Sequence, residues 1–351
     1  MVTNEAILGS SGLLEDPRDK RMWQNADGKV FKDSYNPVTK EVSVVQVNSQ
    51  RFVDNDVTLL RKDEWIALDT AVQNAFEGRS RLVKDLQARN LVHNLPNGVG
   101  SLVFQSQTRS KLSEAVIGMT GLEITDNEQQ QFALDTLPMF TIHKELQIPR
   151  RMLQASRYKG EGLDTSGAAE CGLRLAEKAE NFMAGNCEIF TFGGGSAYGY
   201  TNYPDRTTVD LTYDWTTATG EQILTDMLAM LTAAQAVDCF GPFACYVAQD
   251  IGLHLEEDYK DAVQGTTRSR LLSVEQVDSV LTADYLPDGT VLLVQLNPNT
   301  VRLVSGLPPT TVQWDTNGGE LIHLRVMMIQ VPQLRADFYG KSGIIHGTYT
   351  A

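Results

Sequence analysis

A long amphipathic helix between Leu163 and Asn186 constrains the fold of this chain more than any other sequence feature. The stretch LDTSGAAECGLRLAEKAENFMAGN opens with N-cap candidates and ends in the Gly-Asn pair that favours a helix C-cap. Its apolar residues fall on one stripe at helical spacing: Ala168, Cys171, Leu175, Ala179, Phe182 and Met183. At about 1.5 Å per residue such a helix is roughly 30 Å long. A stripe of that length needs a large covering surface, so we predict a sizeable core around it.

The helix runs into a glycine-rich tract, CEIFTFGGGSAYGYTNYP. A phosphate-binding loop places its glycines between a strand and a helix N-terminus, where backbone N–H groups point at the anion. Here Gly193, Gly194 and Gly195 follow a helix, and no Lys-Ser or Lys-Thr pair comes after them. No G-x-S-x-G motif surrounds Ser196 either. The pattern therefore predicts a turn rather than a nucleotide site or a nucleophile elbow.

Two further segments flank this helix on its N-terminal side. A helix is predicted within residues 61–81, because one face carries an apolar row formed by Trp65, Leu68, Val72 and Phe76. Residues 82–149 then look β-like and polar, with a thin apolar face formed by residues such as Leu102, Phe104 and Phe140. A two-stranded hairpin alone is marginal in water, so we expect this segment to lie on another surface, that of a neighbouring subunit.

The C-terminal half of the chain shows a mixed pattern. GEQILTDMLAMLTAAQ predicts a helix, PFACYVAQD a buried strand and IGLHLEEDYKDAV a short helix. TVLLVQL, TVRLVSG, TTVQW and ELIHLRVMMIQVPQLRADFYG predict strands that close the chain. Helices and strands in this order indicate an α+β fold.

Charge and composition exclude several classes of function. The 351 residues carry a formal net charge of −14, which disfavours a mainly electrostatic hold on nucleic acid or an anionic membrane. No segment approaches the roughly 20 apolar residues that a membrane span needs, so we expect a soluble cytoplasmic protein. The four cysteines form no C-x-x-C pair and the five histidines are scattered singly. We expect buried free thiols, and we assign no catalytic, cofactor-binding or metal-binding residue.

Charged clusters leave alternatives open. The run Glu256, Glu257 and Asp258 could supply acid–base groups, but a charge run on a short helix is more often a solvated face. Three basic pairs could meet phosphate or carboxylate, or could form salt bridges: Arg79 with Arg81, Arg150 with Arg151, and Arg268 with Arg270.

The order of these elements resembles the encapsulin-type branch of the tailed-bacteriophage major capsid protein fold. The resemblance covers roughly residues 60–350 and is carried by DEWIALDTAVQNAFEGR, the polar hairpin, LDTLPMFTIHKELQIP and the long helix. It implies an N-terminal arm at 1–60, an N-terminal helix at 61–81 and an extended loop at 82–149. It further implies a peripheral domain at 150–218 and 311–351, with the spine helix at 163–186, and an axial domain at 219–310.

The resemblance also implies a function that composition does not supply. The chain would be a major capsid protein that self-assembles, as pentamers and hexamers, into the icosahedral head shell of a tailed phage around double-stranded DNA. Its partners would be further copies of itself, a portal, decoration or scaffolding proteins, and DNA held by weak contact, with no membrane. It would assemble in the host cytoplasm and reside in the virion, without enzymatic activity. An encapsulin-like nanocompartment shell and an α/β enzyme with a fold-assembled site are the alternatives.

Overall fold

The structure is a computed structural model with an α+β architecture. It describes residues 60, 62–112, 114, 115, 117, 119, 129–159, 164–260 and 263–349, and five short strands before residue 47. Apart from those strands and Leu60, the predicted N-terminal arm lies outside the described residues. One of these strands, Val42–Gln46, occupies the β-branched run VSVVQV.

The described helices combine predicted and unpredicted elements. They are α1 Lys62–Arg79, α2 Leu82–Ala88, α3 Arg150–Lys159, α4 Ser166–Ala184, α5 Gly220–Ala236, α6 Gln249–His254 and α7 Thr267–Leu272. Apolar periodicity predicts α1, α4 and α5, and it predicts α6 too long, since the strand Asp258–Lys260 follows it. The short helices α2, α3 and α7 were not predicted.

The described strands build several separate sheets. They are β1 Ile7–Leu8, β2 Leu14–Glu15, β3 Met22–Gln24, β4 Val30–Tyr35, β5 Val42–Gln46, β6 Val92–Asn94, β7 Val103–Arg109, β8 Phe132–Pro138, β9 Ile142–Pro149, β10 Phe190–Phe192, β11 Gly195–Ala197, β12 Thr207–Asp210, β13 Phe243–Val247, β14 Asp258–Lys260, β15 Val263–Thr266, β16 Val277–Thr282, β17 Thr290–Gln295, β18 Val301–Thr316, β19 Leu321–Leu334 and β20 Ile344–Thr348. The two largest sheets have the orders β12-β20-β17-β13-β16 and β6-β18-β19-β9.

The larger of two compact units comprises residues 67–146, 165–312 and 324–351. Its five-stranded sheet is mixed: β13 runs parallel to β16 and β12 parallel to β20, while β17 is antiparallel to both of its neighbours. Every residue of β13 is buried, as predicted for that segment. Helix α5 covers the sheet, and Met227 shares one apolar cluster with Trp215, Phe243 and Ile345.

Helix α4 lies within the predicted interval 163–186 and buries the whole predicted stripe. Gly185 ends it in the left-handed region, at φ 97°, and the N–H of Asn186 bonds to the carbonyl oxygen of Asn181. Phe182 packs in a cluster with Val304 of β18 and with Ile329 and Val331 of β19. The predicted apolar face of this helix thus packs, at Phe182, against the sheet that contains β18 and β19.

The prediction of β structure throughout residues 82–149 is wrong at its start. Residues 82–88 form α2, in which Leu82, Val83 and Leu86 are buried. Seven residues are too few for a periodic signal, and this helix is stabilised by tertiary contacts. Its burial also means that the extended segment begins later than Leu82.

The smaller unit comprises residues 1–66, 147–164 and 313–323. Arg157 donates to both carboxylate oxygens of Glu64, at 2.9 and 2.8 Å, in a fork geometry suited to guanidinium. Trp314 stacks on His323 with ring centroids 5.1 Å apart. The Arg157–Glu64 contact joins residues that are 93 positions apart in the sequence.

Candidate functional site

The base of the β7–β8 hairpin is buried in its own subunit. The two strands pair from Val103 with Pro138 to Arg109 with Phe132, so Phe104, Ser106 and Leu137 share one face. Phe104 packs against the apolar cluster that contains Leu137, and Gln333 donates to the Ser106 hydroxyl at 2.8 Å. The expectation that this face needs a neighbouring subunit for its burial is therefore wrong at the base.

The distal part of the hairpin carries exposed apolar side chains. Phe132 is 63% exposed and Leu134 58% exposed, on the face opposite to that of Phe104 and Leu137. Leu112, Ile117 and Met119, beyond the end of β7, are exposed as well. Exposed apolar side chains of this size favour an interaction surface on the distal part of the hairpin.

The glycine-rich tract forms a tight turn, as predicted. Gly193 and Gly194 have φ of 61° and 80° and join β10 to β11 in an antiparallel hairpin. Gly195 then lies against the carbonyl oxygen of Thr136 in β8, where a side chain would not fit. The glycines thus bring this turn close to the base of the β7–β8 hairpin.

The buried carboxylate of Glu180 organises a junction between α4 and α2. Glu180 is 1% exposed, and it accepts the backbone N–H groups of Arg81, Leu82 and Val83, each at 3.0 Å. These are N–H groups at the start of α2, which have no acceptor inside that helix. Burial raises the pKa of Glu180, although the three backbone hydrogen bonds oppose that shift. No local signal in the sequence identifies Glu180, because its partners lie almost a hundred positions away.

Charged and phenolic side chains extend the junction toward the five-stranded sheet. Tyr246 of β13 donates to Asp85 at 2.6 Å, and Arg89 donates to Asp85 at 3.0 Å. Arg89 also reaches Asp278 and Ser279 of β16, at 2.5 and 2.9 Å. Helix α2 is therefore fixed at one end by α4 and at the other by the edge of the sheet.

The predicted basic pairs separate in the structure. Arg79 bonds to Asp284 and to the Tyr285 hydroxyl, both at 3.1 Å, which supports the salt-bridge alternative for this residue. Arg81 contributes its backbone N–H to Glu180, and its side chain is exposed. Arg268 pairs with Glu256 at 2.8 Å.

The remaining predicted clusters lie apart. Arg151 is exposed on α3, and Arg270 lies with its guanidinium 6.0 Å from the centroid of the Tyr259 ring. In the acidic run, Glu257 lies 3.2 Å from the His254 ring, and Glu256 and Asp258 are largely exposed. The acidic run thus meets one member of the basic pairs, Arg268, through Glu256, and this contact is a salt bridge.

The thiols fit structural rather than nucleophilic roles. Cys171, Cys239 and Cys245 are free and buried as predicted, whereas Cys187 is half-exposed. Burial raises the pKa of all three buried thiols, that of Cys245 to about 12, so they stay protonated at neutral pH. Within the described part of the chain, no three His, Cys, Asp or Glu side chains could hold a metal ion together. No described helix is long and apolar enough to span a membrane.

The sequence of this chain matches one known protein family. The sequence matches the family of unknown function DUF6260 over residues 55–347. The chain belongs to the DUF6260 family. No curated protein matches the sequence of this DUF6260 member.

Solved structures similar to this DUF6260 member are capsids and a virus-like particle. The virus-like particle from Pyrococcus furiosus aligns with a TM-score of 0.56 at 15% identity, over 80% of this chain and 97% of that one. The capsid of Myoviridae phage XM1 gives a TM-score of 0.57 at 11% identity, over 76% of this chain and 92% of that one. The capsid of a native GTA particle gives a TM-score of 0.54 at 12% identity, over 77% of this chain and 91% of that one. The α+β phage capsid fold expected from the order of elements is therefore confirmed.

Proposed function

We propose that this protein is the major capsid protein of a tailed bacteriophage and self-assembles into an icosahedral head shell around double-stranded DNA. The observation that carries the proposal is the match of nearly the full length of capsid subunits to the larger part of this chain. The exposed apolar face of the hairpin supports it, because a subunit that never assembled would leave Phe132 and Leu134 in water.

In this proposal the predicted domain map assigns each region a place in the shell. Residues 219–310 are the axial domain that meets its neighbours in pentamers and hexamers. Residues 150–218 and 311–351 are the peripheral domain, and residues 1–60 are an arm that tethers adjacent subunits. A portal, decoration or scaffolding proteins and weakly held DNA complete the list of partners.

The distal half of the hairpin is the proposed contact with a neighbouring subunit. Phe132→Asp combined with Leu134→Asp places two charges on its exposed face and should abolish assembly, because charges cannot be buried there unpaired. Gln107→Asn is the matched control: Gln107 lies directly opposite Leu134 on the same face, and this change adds no charge, so assembly should be retained. Sedimentation velocity of the full-length chains measures both outcomes. Normal shells from the double variant would refute this contact.

Hydrogen exchange gives a second measure of the same contact. Because the hairpin base is buried in its own subunit, assembly should protect residues 107–109 and 132–134 while leaving Phe104 and Leu137 nearly unchanged. Equal protection of the distal strands before and after assembly would contradict the overlap of subunits.

Electron microscopy of the purified chain, with nuclease treatment of the particles, decides between the functions. Large shells that protect double-stranded DNA support the phage capsid. Small shells that contain protein would instead support an encapsulin-like compartment, an alternative favoured by the virus-like particle that aligns over 97% of its length. Discrete oligomers without a shell would favour the second alternative, an α/β enzyme with a fold-assembled site.

The excess of acidic over basic residues predicts that packaged DNA is held weakly. With a formal net charge of −14, the subunit as a whole repels the phosphates of DNA. Binding of unassembled subunits to duplex DNA should be undetectable at micromolar protein in about 150 mM salt. Tight binding under these conditions would show that the inner wall holds the genome through a local basic surface.

A further inference from the structure

Apolar packing holds only the proximal half of the β7–β8 hairpin. Along β8, Leu137 and Pro138 are buried, Thr136 is intermediate, and the four residues from Phe132 to Asp135 are exposed. On β7, Ser106 is the buried residue, and Gln107 and Arg109 beyond it are exposed. The distal half therefore owes its position to something other than a hydrophobic contact.

Four charged side chains connect that distal half to the body of its own subunit. The Lys111 ammonium lies 3.5 Å from the carboxylates of both Asp238 and Asp337, and Lys341 lies 3.5 Å from Asp238. Asp238 follows the end of α5, and Asp337 lies in the turn after β19. Burial lowers the pKa of Lys111, but attraction to Asp337 and Asp238 outweighs it and raises the pKa, so the lysine stays charged.

The turn that carries Asp337 is itself well ordered by hydrogen bonds. One Asp337 carboxylate oxygen accepts the backbone N–H groups of Tyr339 and Lys341, at 3.0 and 2.9 Å. Its other oxygen is left for Lys111. From the same segment, Arg335 donates to the carbonyl oxygen of Gln107 at 3.2 Å. The body of the subunit thus presents a fixed acidic partner to a lysine on the hairpin.

A cavity of about 630 Å³ lies beneath these contacts. Its walls include Gln107 and Phe132 of the hairpin and Cys239 of the body. The hairpin spans this space and does not fill it, so little apolar packing opposes its movement away from the body. The hydrogen bond from Arg335 and the ion pairs of Lys111 hold it there.

We infer that Lys111, Asp238, Asp337 and Lys341 form an ionic latch that holds the distal hairpin on its own subunit and releases it for docking on a neighbour. Only the second half of this statement, the docking, rests on the proposed shell function. The side chains of Lys111 and Asp238 are both 58% exposed, so each pair is weak and is screened by salt. A latch of this kind opens readily, which suits a segment that must change partners during assembly.

Hydrogen exchange on unassembled full-length subunits tests the latch directly. Lys111→Gln and Asp238→Asn should each raise exchange of residues 107–109 and 132–134 by about three- to tenfold, the effect of losing exposed ion pairs. The double variant should add little to Lys111→Gln, because that change alone already removes the Lys111–Asp238 pair. Asn is a suitable replacement at 238, since that residue has φ 62°. Lys84→Gln, which removes an exposed lysine on α2, is the control and should change nothing in the hairpin.

Salt and thiol labelling give an independent readout. Raising salt from about 50 to 500 mM should increase exchange in the wild type and have little effect in Lys111→Gln, whose latch is already open. Cys239 lines the cavity, so its labelling by a maleimide, in a Cys187→Ser background, should quicken in the same variants. Unchanged exchange and labelling in the latch variants would overturn the inference.

Assembly kinetics separate the latch from the shell function. If the wild type forms shells, Lys111→Gln should form them faster, because its hairpin is already free. Faster exchange in a chain that forms no shells would retain the latch and reject the shell function. Shells that form equally fast with and without Lys111 would reject the latch as a control on assembly.

Discussion

Removal of the Glu180 carboxylate is the sharpest test of the junction between α4 and α2. Glu180→Ala deletes the acceptor for the N–H groups of Arg81, Leu82 and Val83. Leu82 and Val83 are buried, and a buried donor left unsatisfied costs about 1–3 kcal/mol. Part of this cost is offset because the carboxylate no longer has to be desolvated. We expect the free energy of unfolding to fall by about 2–4 kcal/mol.

Two further variants test whether the loss of stability comes from the hydrogen bonds that Glu180 accepts. One carboxylate oxygen of Glu180 accepts from both Arg81 and Val83, and the other accepts from Leu82 alone. Glu180→Gln can therefore keep two of the bonds and should cost about 1–2 kcal/mol, roughly half the alanine effect. Glu177→Gln on the same helix removes a carboxylate that pairs with the exposed Arg174, and it should cost less than about 1 kcal/mol.

Urea unfolding of unassembled subunits measures these three values, and hydrogen exchange locates the change. The amides of Leu82 and Val83 should lose protection in Glu180→Ala, while amides in the middle of β13 should report only the global loss. A Glu180→Ala subunit within about 0.5 kcal/mol of the wild type, with both amides still protected, would show that the carboxylate does not hold α2.

Three other perturbations test the core, the pH dependence of stability and the N-terminal arm. Phe182→Ala should destabilise the unassembled subunit by about 3–5 kcal/mol in urea unfolding, because the ring is buried and lies 4.7 Å from that of Phe140; a loss below about 1 kcal/mol would place this face in solvent. Burial and the neighbouring Arg206 lower the pKa of His346 from 6.5 to about 4. The folded state favours the neutral imidazole, so the free energy of unfolding is highest above pH 6.5 and falls by up to about 3 kcal/mol as the pH falls toward 4. His346→Gln should therefore flatten the pH dependence of unfolding. An unchanged pH profile would count against a buried neutral imidazole. Deletion of residues 1–50 should leave a folded subunit that assembles poorly, and shells of normal size and heat resistance would contradict the tether role of the arm.

Local sequence signals were sufficient for the long elements. The period of the stripe from Ala168 to Met183 predicts α4, and the Gly185-Asn186 pair predicts its end. The unbroken apolar run from Phe243 to Val247 predicts a strand that is buried on both faces. These signals work because each element repeats its pattern over several residues and must bury one face. The order of the elements was then enough to suggest the fold.

Short elements and the junction were decided by tertiary structure. Helix α2 has seven residues, and the acceptor for its first N–H groups is Glu180, which is 98 positions from Leu82. Likewise, the alternation in β8 does not reveal that Leu137 meets its own core while Phe132 stays exposed. Both outcomes depend on contacts between distant parts of the chain. A local pattern shows which faces can be buried, but only the folded chain determines which partner buries each face and which face is left for another molecule.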